Sequence, residues 1–355
     1  MKTILIVDDS ALVRKQLRSL VEDIDQFSEI DEAKNGEEAI KKAITKNYNL
    51  ITMDVYMPFV NGLEAVEKIM TINPTPILMV SSLTGKDTES SFQALSLGAL
   101  DYVTKPGTLN IGIEENRVEI IEKVKSLSRV TKSFLKRREV AKRKGFVLDN
   151  MKKVTDSNSN FDSSTIDKVV LIGSSTGGPN LIEHIVASLP EDYPHPVVIV
   201  QHMPDRLTSS FAKRLDRKSK LAVSEVKDTV DFKRSNIYIA SGGTDLIFKK
   251  KISGRVVLDI DLENRGNFFK PSINETFNSA STVFDAKNIF AVILTGIGDD
   301  GAEAIKGIKE KGGYTVGESE ETAVVYGMPK VAYEIGGLTE QLPFQKILEK
   351  IATLR

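Results

Sequence analysis

The sequence predicts two α/β domains, each a doubly wound, mostly parallel sheet, joined by a linker. Three observations carry that prediction. Short β-branched runs alternate with helical patterns over residues 1–125. The same alternation resumes near residue 168 and continues almost to residue 355. Between the two, composition changes: residues 131–153 hold nine Lys/Arg against two acids, and residues 156–164 are polar and rich in Ser and Asn. The resulting domains are 1–125, a helical, basic and flexible linker over 126–165, and 166–355.

In order, residues 2–7 read as the first strand, followed by Asp8-Asp9-Ser10 and a helical pattern to Val21. Residues 50–53 form the second strand, running into Asp54. Residues 76–80 form the third, ending at Ser81-Ser82, and 100–104 the fourth, ending at Lys105-Pro106. Helical patterns at 36–46 and 62–70 separate them. In the second half, strands are predicted at 168–172, 197–200, 221–226 and 236–240. Segments 246–248 and 256–260, joined through Ser253-Gly254, read as a hairpin. Residues 289–294 form a long buried strand, and 314–317 the last strand of the sheet.

Composition narrows the function. An apolar fraction of 41% and a charged fraction of 27% are those of a soluble globular protein. A formal net charge of −1 gives no global field toward nucleic acid or membrane. The basic stretch lacks the interleaved aromatics of a base-stacking surface and reads as a solvated linker. Absence of cysteine excludes disulfides, thiolate nucleophiles and cysteine metal sites. No apolar run approaches the ~20 residues that span a bilayer, and residues 1–9 do not read as a signal peptide. A cytoplasmic protein without membrane insertion or nucleic-acid partner is expected.

In an open parallel sheet, ligands gather at the carboxyl ends of the strands. Asp8, Asp9 and Asp54 all fall there. Three converging carboxylates repel one another, and a hard divalent cation relieves this. Mg²⁺ suits, since it takes few carboxylates and can bridge to phosphoryl oxygens. Ser81 could hydrogen-bond a phosphoryl oxygen and Lys105 could pair with one. The bland alternative makes Asp8 and Asp9 helix caps and Lys105 a surface lysine. Five matching positions favour a site for phosphorylating Asp54.

These residues resemble the receiver domain of response regulators. The matching text is Ile6-Val7-Asp8-Asp9-Ser10, Met53-Asp54-Val55-Tyr56-Met57-Pro58, Val80-Ser81 and Val103-Thr104-Lys105-Pro106. Tyr102 matches the family's switch aromatic. The resemblance implies that Asp54 accepts phosphate from a histidine kinase.

The second domain opens on Gly173-Ser174-Ser175-Thr176-Gly177-Gly178-Pro179, between a strand and a helical pattern. A serine there sits in a sharp turn beside helix N–H groups that could hold an oxyanion. The same turn equally suits phosphate binding or simple capping. Serine alone is a poor nucleophile and needs a base. Of three histidines, His184 lies within a helix and His195 in a loop at the opposite end of the sheet. His202 stands at a carboxyl strand end beside Ser175. The base in turn needs a carboxylate, and Asp299 and Asp300 are both candidates. The order Ser, His, Asp differs from that of α/β-hydrolases and of both protease types.

With Gln201-His202-Met203-Pro204, residues 293–301 and Val325-Tyr326-Gly327-Met328-Pro329, the chain resembles the CheB family over essentially its whole length. Members are chemotaxis response regulators that act as protein-glutamate methylesterases. The resemblance implies Ser175 as nucleophile, His202 as base and Asp300 as acid, with Thr176, Met203 and Ile297 lining the site. It implies methyl-accepting chemoreceptors as substrate, a chemotaxis histidine kinase as phosphodonor, Mg²⁺ in the receiver and no cofactor in the esterase domain. It also implies that the receiver packs near the esterase cleft until Asp54 is phosphorylated. The same triad would serve deamidation of receptor glutamines. Three positions depart from the family: Ser174 for Ala, Asp299 for Asn, and Ile297 where Met is frequent. Ser174 makes the nucleophile ambiguous by composition, although position favours Ser175, and Asp299 adds a possible negative charge that could raise the pKa of one of the two aspartates. Competing outputs are a DNA-binding, a nucleotide-binding and a catalytically silent domain. The turn lacks both Gly-x-Gly-x-x-Gly spacing and a P-loop lysine.

Overall fold

Central strands are apolar on both faces, as a parallel sheet covered by helices requires. The computed structural model describes residues 2–82, 85–106, 113–143, 166, 168–263, 266 and 269–355. The chain divides into two units, Met1–Arg143 and Lys144–Arg355.

The first unit runs β1 (Lys2–Val7), α1 (Ala11–Glu22), β2 (Phe27–Ala33), α2 (Gly36–Thr45), β3 (Leu50–Asp54), α3 (Gly62–Ile72), β4 (Ile77–Ser81), α4 (Gly85–Leu97), β5 (Asp101–Thr104), α5 (Ile113–Leu127) and α6 (Lys132–Arg143). Its five strands are parallel in the order β2-β1-β3-β4-β5. Strands β3 and β4 are buried at every position. Ser10, Asn35 and Asn61 each accept the N–H three residues on, so three helices start on side-chain caps. The sheet therefore has five strands where the sequence suggested four. The added one, β2, is an edge strand reading Phe-Ser-Glu-Ile-Asp-Glu-Ala, with only Ala33 buried. Helix α6, read from sequence as linker, packs within this unit: Leu135 is buried, and Lys132 Nζ donates to Asn47 Oδ1 at 2.6 Å and Asn73 Oδ1 at 2.8 Å. The remaining linker, residues 144–165, lies outside the described residues.

The second unit runs β6 (Val169–Ser174), α7 (Gly178–Ser188), β7 (Val197–Gln201), α8 (Asp205–Asp216), β8 (Ala222–Val226), β9 (Val230–Asp231), β10 (Asn236–Ala240), β11 (Asp245–Lys250), β12 (Val256–Asp261), α9 (Ile273–Val283), a 3₁₀ turn (Ala286–Asn288), β13 (Ile289–Ile293), α10 (Ala302–Glu310), β14 (Tyr314–Glu318), α11 (Met328–Glu334), β15 (Glu340–Leu342) and α12 (Phe344–Thr353). Seven parallel strands form the order β15-β14-β13-β6-β7-β10-β8. Strand β14 is thus not outermost: β15, only three residues long, pairs beyond it. The predicted hairpin is present as β11 and β12, but in a separate antiparallel sheet ordered β11-β12-β9. Leu171, Val200, Leu246, Ile273, Phe277 and Ile293 belong to one buried cluster that fixes α9 and β11 beside the main sheet. Among the described residues no helix is long and apolar enough to cross a membrane.

Candidate active site and phosphorylation site

Chain order reverses direction across each sheet, and both sites sit at the carboxyl ends of strands flanking that switch point. In the first unit the flanking strands are β1 and β3. Ligand oxygens of Asp8, Asp9 and Asp54 lie within 4.8 Å of one another. Asp8 and Asp54 are buried and Asp9 is exposed. Lys105, just past β5, reaches back to Asp8 Oδ2 at 2.8 Å and Asp54 Oδ2 at 2.9 Å. Its own N–H donates to the Ser81 carbonyl at 2.8 Å, which ties the β4 and β5 ends together. Asp54 Oδ1 accepts the Val55 N–H at 2.7 Å. A Cβ on Gly62 would lie 1.9 Å from the Asp54 carbonyl oxygen, so only glycine lets α3 start this close to the site. Tyr102 is buried, edge-on to Phe92 with ring centroids 6.4 Å apart.

Burial, above all, pushes the Asp54 carboxyl up to about 6, with the Asp8 charge adding and Lys105 and the Val55 N–H opposing. One lysine does not offset the crowding of three acids. That imbalance, with three oxygen ligands from two strand ends, fits a divalent cation.

In the second unit Ser175, His202 and Asp300 follow three adjacent strands, β6, β7 and β13. Register continues past the strand ends: the His202 N–H donates to the Ser174 carbonyl at 3.0 Å, and the Ser175 N–H to the Thr295 carbonyl at 3.0 Å. The two serines separate cleanly. Ser174 Oγ donates to Gln201 Oε1 at 2.6 Å and is fully buried. Gln201 Nε2 in turn donates to the carbonyls of Ser175 and His202, both at 3.0 Å, and so clamps the two turns together. Ser174 is therefore structural, which leaves Ser175 as the nucleophile candidate. Ser175 is 5% exposed. Gly177, with φ of 81°, turns the chain into α7, and a Cβ there would lie 2.7 Å from Val324. Among the described residues, no backbone hydrogen bond of this turn uses the Thr176 or Gly177 N–H. Thr176 Oγ1 is buried and unpartnered. Met203 is buried and Ile297 half-buried.

His202 Nε2 lies 2.9 Å from Asp300 Oδ2. Asp300 also receives the Ile273 N–H at 2.6 Å, the Asn274 N–H at 2.9 Å and the Ser272 hydroxyl at 3.0 Å. A carboxylate seated on a helix N-terminus is stabilised in its charged form. Burial pushes this carboxyl up, but the His202 hydrogen bond and charge, then the Asn274 and Ile273 N–H groups, bring it below the usual value. Asp300 is thus not the raised member of the aspartate pair, and its neighbour Asp299 is exposed. His202 Nδ1 is buried without a hydrogen-bond partner, and no hydrogen bond joins it to Ser175. The imidazole stacks on Phe269, centroids 4.1 Å apart and planes 12° from parallel. Phe269, Ser272 and Gln201 escaped the sequence reading. The Ser272-x-x-Glu275 capping pattern was the one signal for α9.

A three-carboxylate crevice with a lysine on one sheet, and a serine, a histidine and an aspartate after adjacent strands of another, are the arrangement expected of a response regulator with an esterase output. Residues 170–351 match the CheB methylesterase family model and residues 4–114 match the response regulator receiver domain model. The chain belongs to the CheB methylesterase family. It is 43% identical over 353 residues to a protein-glutamate methylesterase/protein-glutamine glutaminase 2 of Carboxydothermus hydrogenoformans, covering 99% of this chain and 98% of that one. It is 38% identical over 348 residues to the corresponding Archaeoglobus fulgidus protein, covering 98% and 96%. The crystal structure of the Thermotoga maritima CheB methylesterase catalytic domain superposes with a TM-score of 0.51 at 40% identity, covering 54% of this chain and all of that domain.

Proposed function

We propose that Ser175, His202 and Asp300 are the triad of this response-regulator-controlled protein-glutamate methylesterase and protein-glutamine glutaminase. The chain acts in chemotaxis, and its substrates are glutamyl methyl esters and glutamines of chemoreceptors. The observation that carries the triad is Asp300, which accepts His202 and three further donors at one strand end.

With Nε2–H donating to Asp300, the Nδ1 lone pair is the proton acceptor. Ser175 Oγ attacks the ester carbonyl carbon while its proton passes to Nδ1. Hydrogen bonds of catalytic pairs are often absent without substrate and form in the complex. The Thr176 and Gly177 N–H groups at the start of α7 receive the oxyanion, and Thr176 Oγ1 is a further donor for substrate. Collapse breaks the C–O bond, and His202 returns the proton to the departing methoxide, releasing methanol. Water, deprotonated by His202, attacks the acyl carbon; collapse breaks the Ser175 Oγ–C bond, His202 returns the proton to Oγ, and the glutamate is freed. With glutamine the leaving group is ammonia.

In the receiver, Asp54 accepts a phosphoryl group from the histidine kinase, and Lys105 pairs with a phosphoryl oxygen. Ser81 donates to another, and buried Tyr102 responds to the change. Asp8, Asp9 and Asp54 would hold Mg²⁺, which supplies charge neutralisation at the phosphoryl oxygens when bound. The esterase site uses protein groups throughout. The reaction belongs to the cytoplasm, where receptor glutamates and the kinase meet.

The test is methanol release from methylated receptor, with and without acetyl phosphate and Mg²⁺. Turnover should rise with phosphodonor, stay at the basal level in Asp54→Ala and vanish in folded Ser175→Ala, with Ser174→Ala still active. Robust turnover in Ser175→Ala would sink the triad, and stimulation that survives in Asp54→Ala would sink the switch.

A further inference from the structure

Helix α9 begins with Ser272-Ile273-Asn274-Glu275, a capping-box sequence. In that motif the Glu side chain accepts the N–H of the capping serine. Here Asp245 takes that place: its Oδ1 accepts the Ser272 N–H at 2.7 Å. The Ser272 hydroxyl donates to Asp300 Oδ1 at 3.0 Å and accepts the Glu275 N–H at 3.4 Å. One serine thus joins two carboxyls, one through its backbone and one through its side chain.

Asp245 is the first residue of β11 and is completely buried. Its second oxygen is buried without a hydrogen-bond partner. An ionised carboxylate with an open buried oxygen is costly, and a neutral carboxyl is much less so. Burial, foremost, favours the neutral form, with Glu275 and Asp300 adding to it and the Ser272 N–H and Lys270 opposing.

We infer that Asp245 is a positioning residue of the esterase site, fixing Ser272 and, through Ser272, the Asp300 carboxylate that orients His202. The inference rests on the triad assigned above and adds a buried fourth member that touches neither substrate nor the reacting atoms.

The test compares Asp245→Ala and Asp245→Asn in the phosphorylated full-length chain. Alanine leaves the Ser272 N–H buried and unpaired, so kcat should fall roughly 10-fold or more with KM little changed. Asparagine keeps an oxygen for that N–H and adds no charge, so it should restore most of the loss and leave the acid limb of the pH–rate profile in place. Proton NMR supplies a second readout. The downfield imidazole N–H signal of His202 held by Asp300 should persist in Asp245→Asn and broaden or vanish in Asp245→Ala. Wild-type kcat and an intact signal in Asp245→Ala would overturn the role. So would an Asp245→Asn variant as slow as alanine, or one whose acid limb shifts, a readout that survives even if alanine fails to fold. Absence of wild-type turnover would instead remove the esterase assignment on which the inference stands.

Discussion

Asp54, buried at the end of β3, and Asp300, half-buried in the turn after β13, both lie on the carboxyl side of a parallel strand, yet their environments drive them in opposite directions. Burial first, and the Asp8 charge after it, outweigh Lys105 and the Val55 N–H at Asp54, and its carboxyl rises to about 6. Asp300 faces no acid directly; it collects His202, a hydroxyl and two helix N–H groups, and its carboxyl falls below the usual value. The difference follows the work. On the proposed roles, the group that takes a phosphoryl group sits in a crevice short of positive charge, ready for a cation. A group that must hold an imidazolium has its negative charge secured before substrate arrives.

The comparison breaks most visibly at Asp300. Asp300→Asn should lower kcat by roughly 10³- to 10⁴-fold, because an amide can present its N–H₂ to His202 and favours the wrong tautomer. Ester turnover by the purified full-length variant checks this. If the loss is only a few-fold, Asp300 is a cap for α9 and the contrast drawn here is wrong.

Stability gives the next largest effect, with opposite signs at the two acids. A folded-state value of about 6 against the ordinary 3.8 means that the native chain binds more protons than the unfolded one between those pH values. Ionised Asp54 therefore costs stability, and the cost is fully present above pH ~6. Asp54→Asn should stabilise the first transition of a Mg²⁺-free urea melt at pH 8 by on the order of 2–3 kcal/mol. That advantage should disappear below pH ~4. Asp300 has the reverse sign: its contribution is present above the unfolded value and is lost as pH falls through the depressed one. A melt in which Asp54→Asn destabilises at pH 8 would refute the account of that crevice.

The smallest effect concerns Phe269. Loss of its stacked ring removes a contact worth ~0.5–1.5 kcal/mol, so Phe269→Ala should reduce kcat about 2- to 10-fold. The ring is on the imidazole and not on a carboxyl, so the Asp54-dependent stimulation by acetyl phosphate should be unchanged in ratio. A changed ratio would mean that the two sites are less separable than drawn.

Legibility of the sequence tracked burial. Strands with continuous apolar runs, such as β3, β6 and β13, were plain because both faces are covered. Strand β2 was missed because four of its seven residues are polar or acidic and it lies at an edge. Strands β9 and β15 are too short to show a period. Asp8, Asp54, Ser175 and His202 were legible because each stands at the end of such a run or one step past it, and Asp300 because it lies in the glycine-rich turn that follows β13. Asp245, Ser272 and Phe269 precede or follow weakly patterned segments, and only folding brings them to Asp300 and His202. Ser174 shows the limit differently: composition offered two serines in one turn, and only the hydrogen bond to Gln201 assigns one of them to structure.

The members of the proposed triad are far apart along the chain, His202 and Asp300 being separated by 98 residues. Long separations close late in folding, because loop entropy is lost before the contact repays it. During synthesis the serine turn and the histidine emerge well before the acid that makes them useful. A nascent or half-folded chain thus holds a harmless serine, and hydrolytic competence arrives only when β13 has docked against β6. The geometry of the sheet is in this sense a safety on the enzyme, and one that acts ahead of any phosphoryl group.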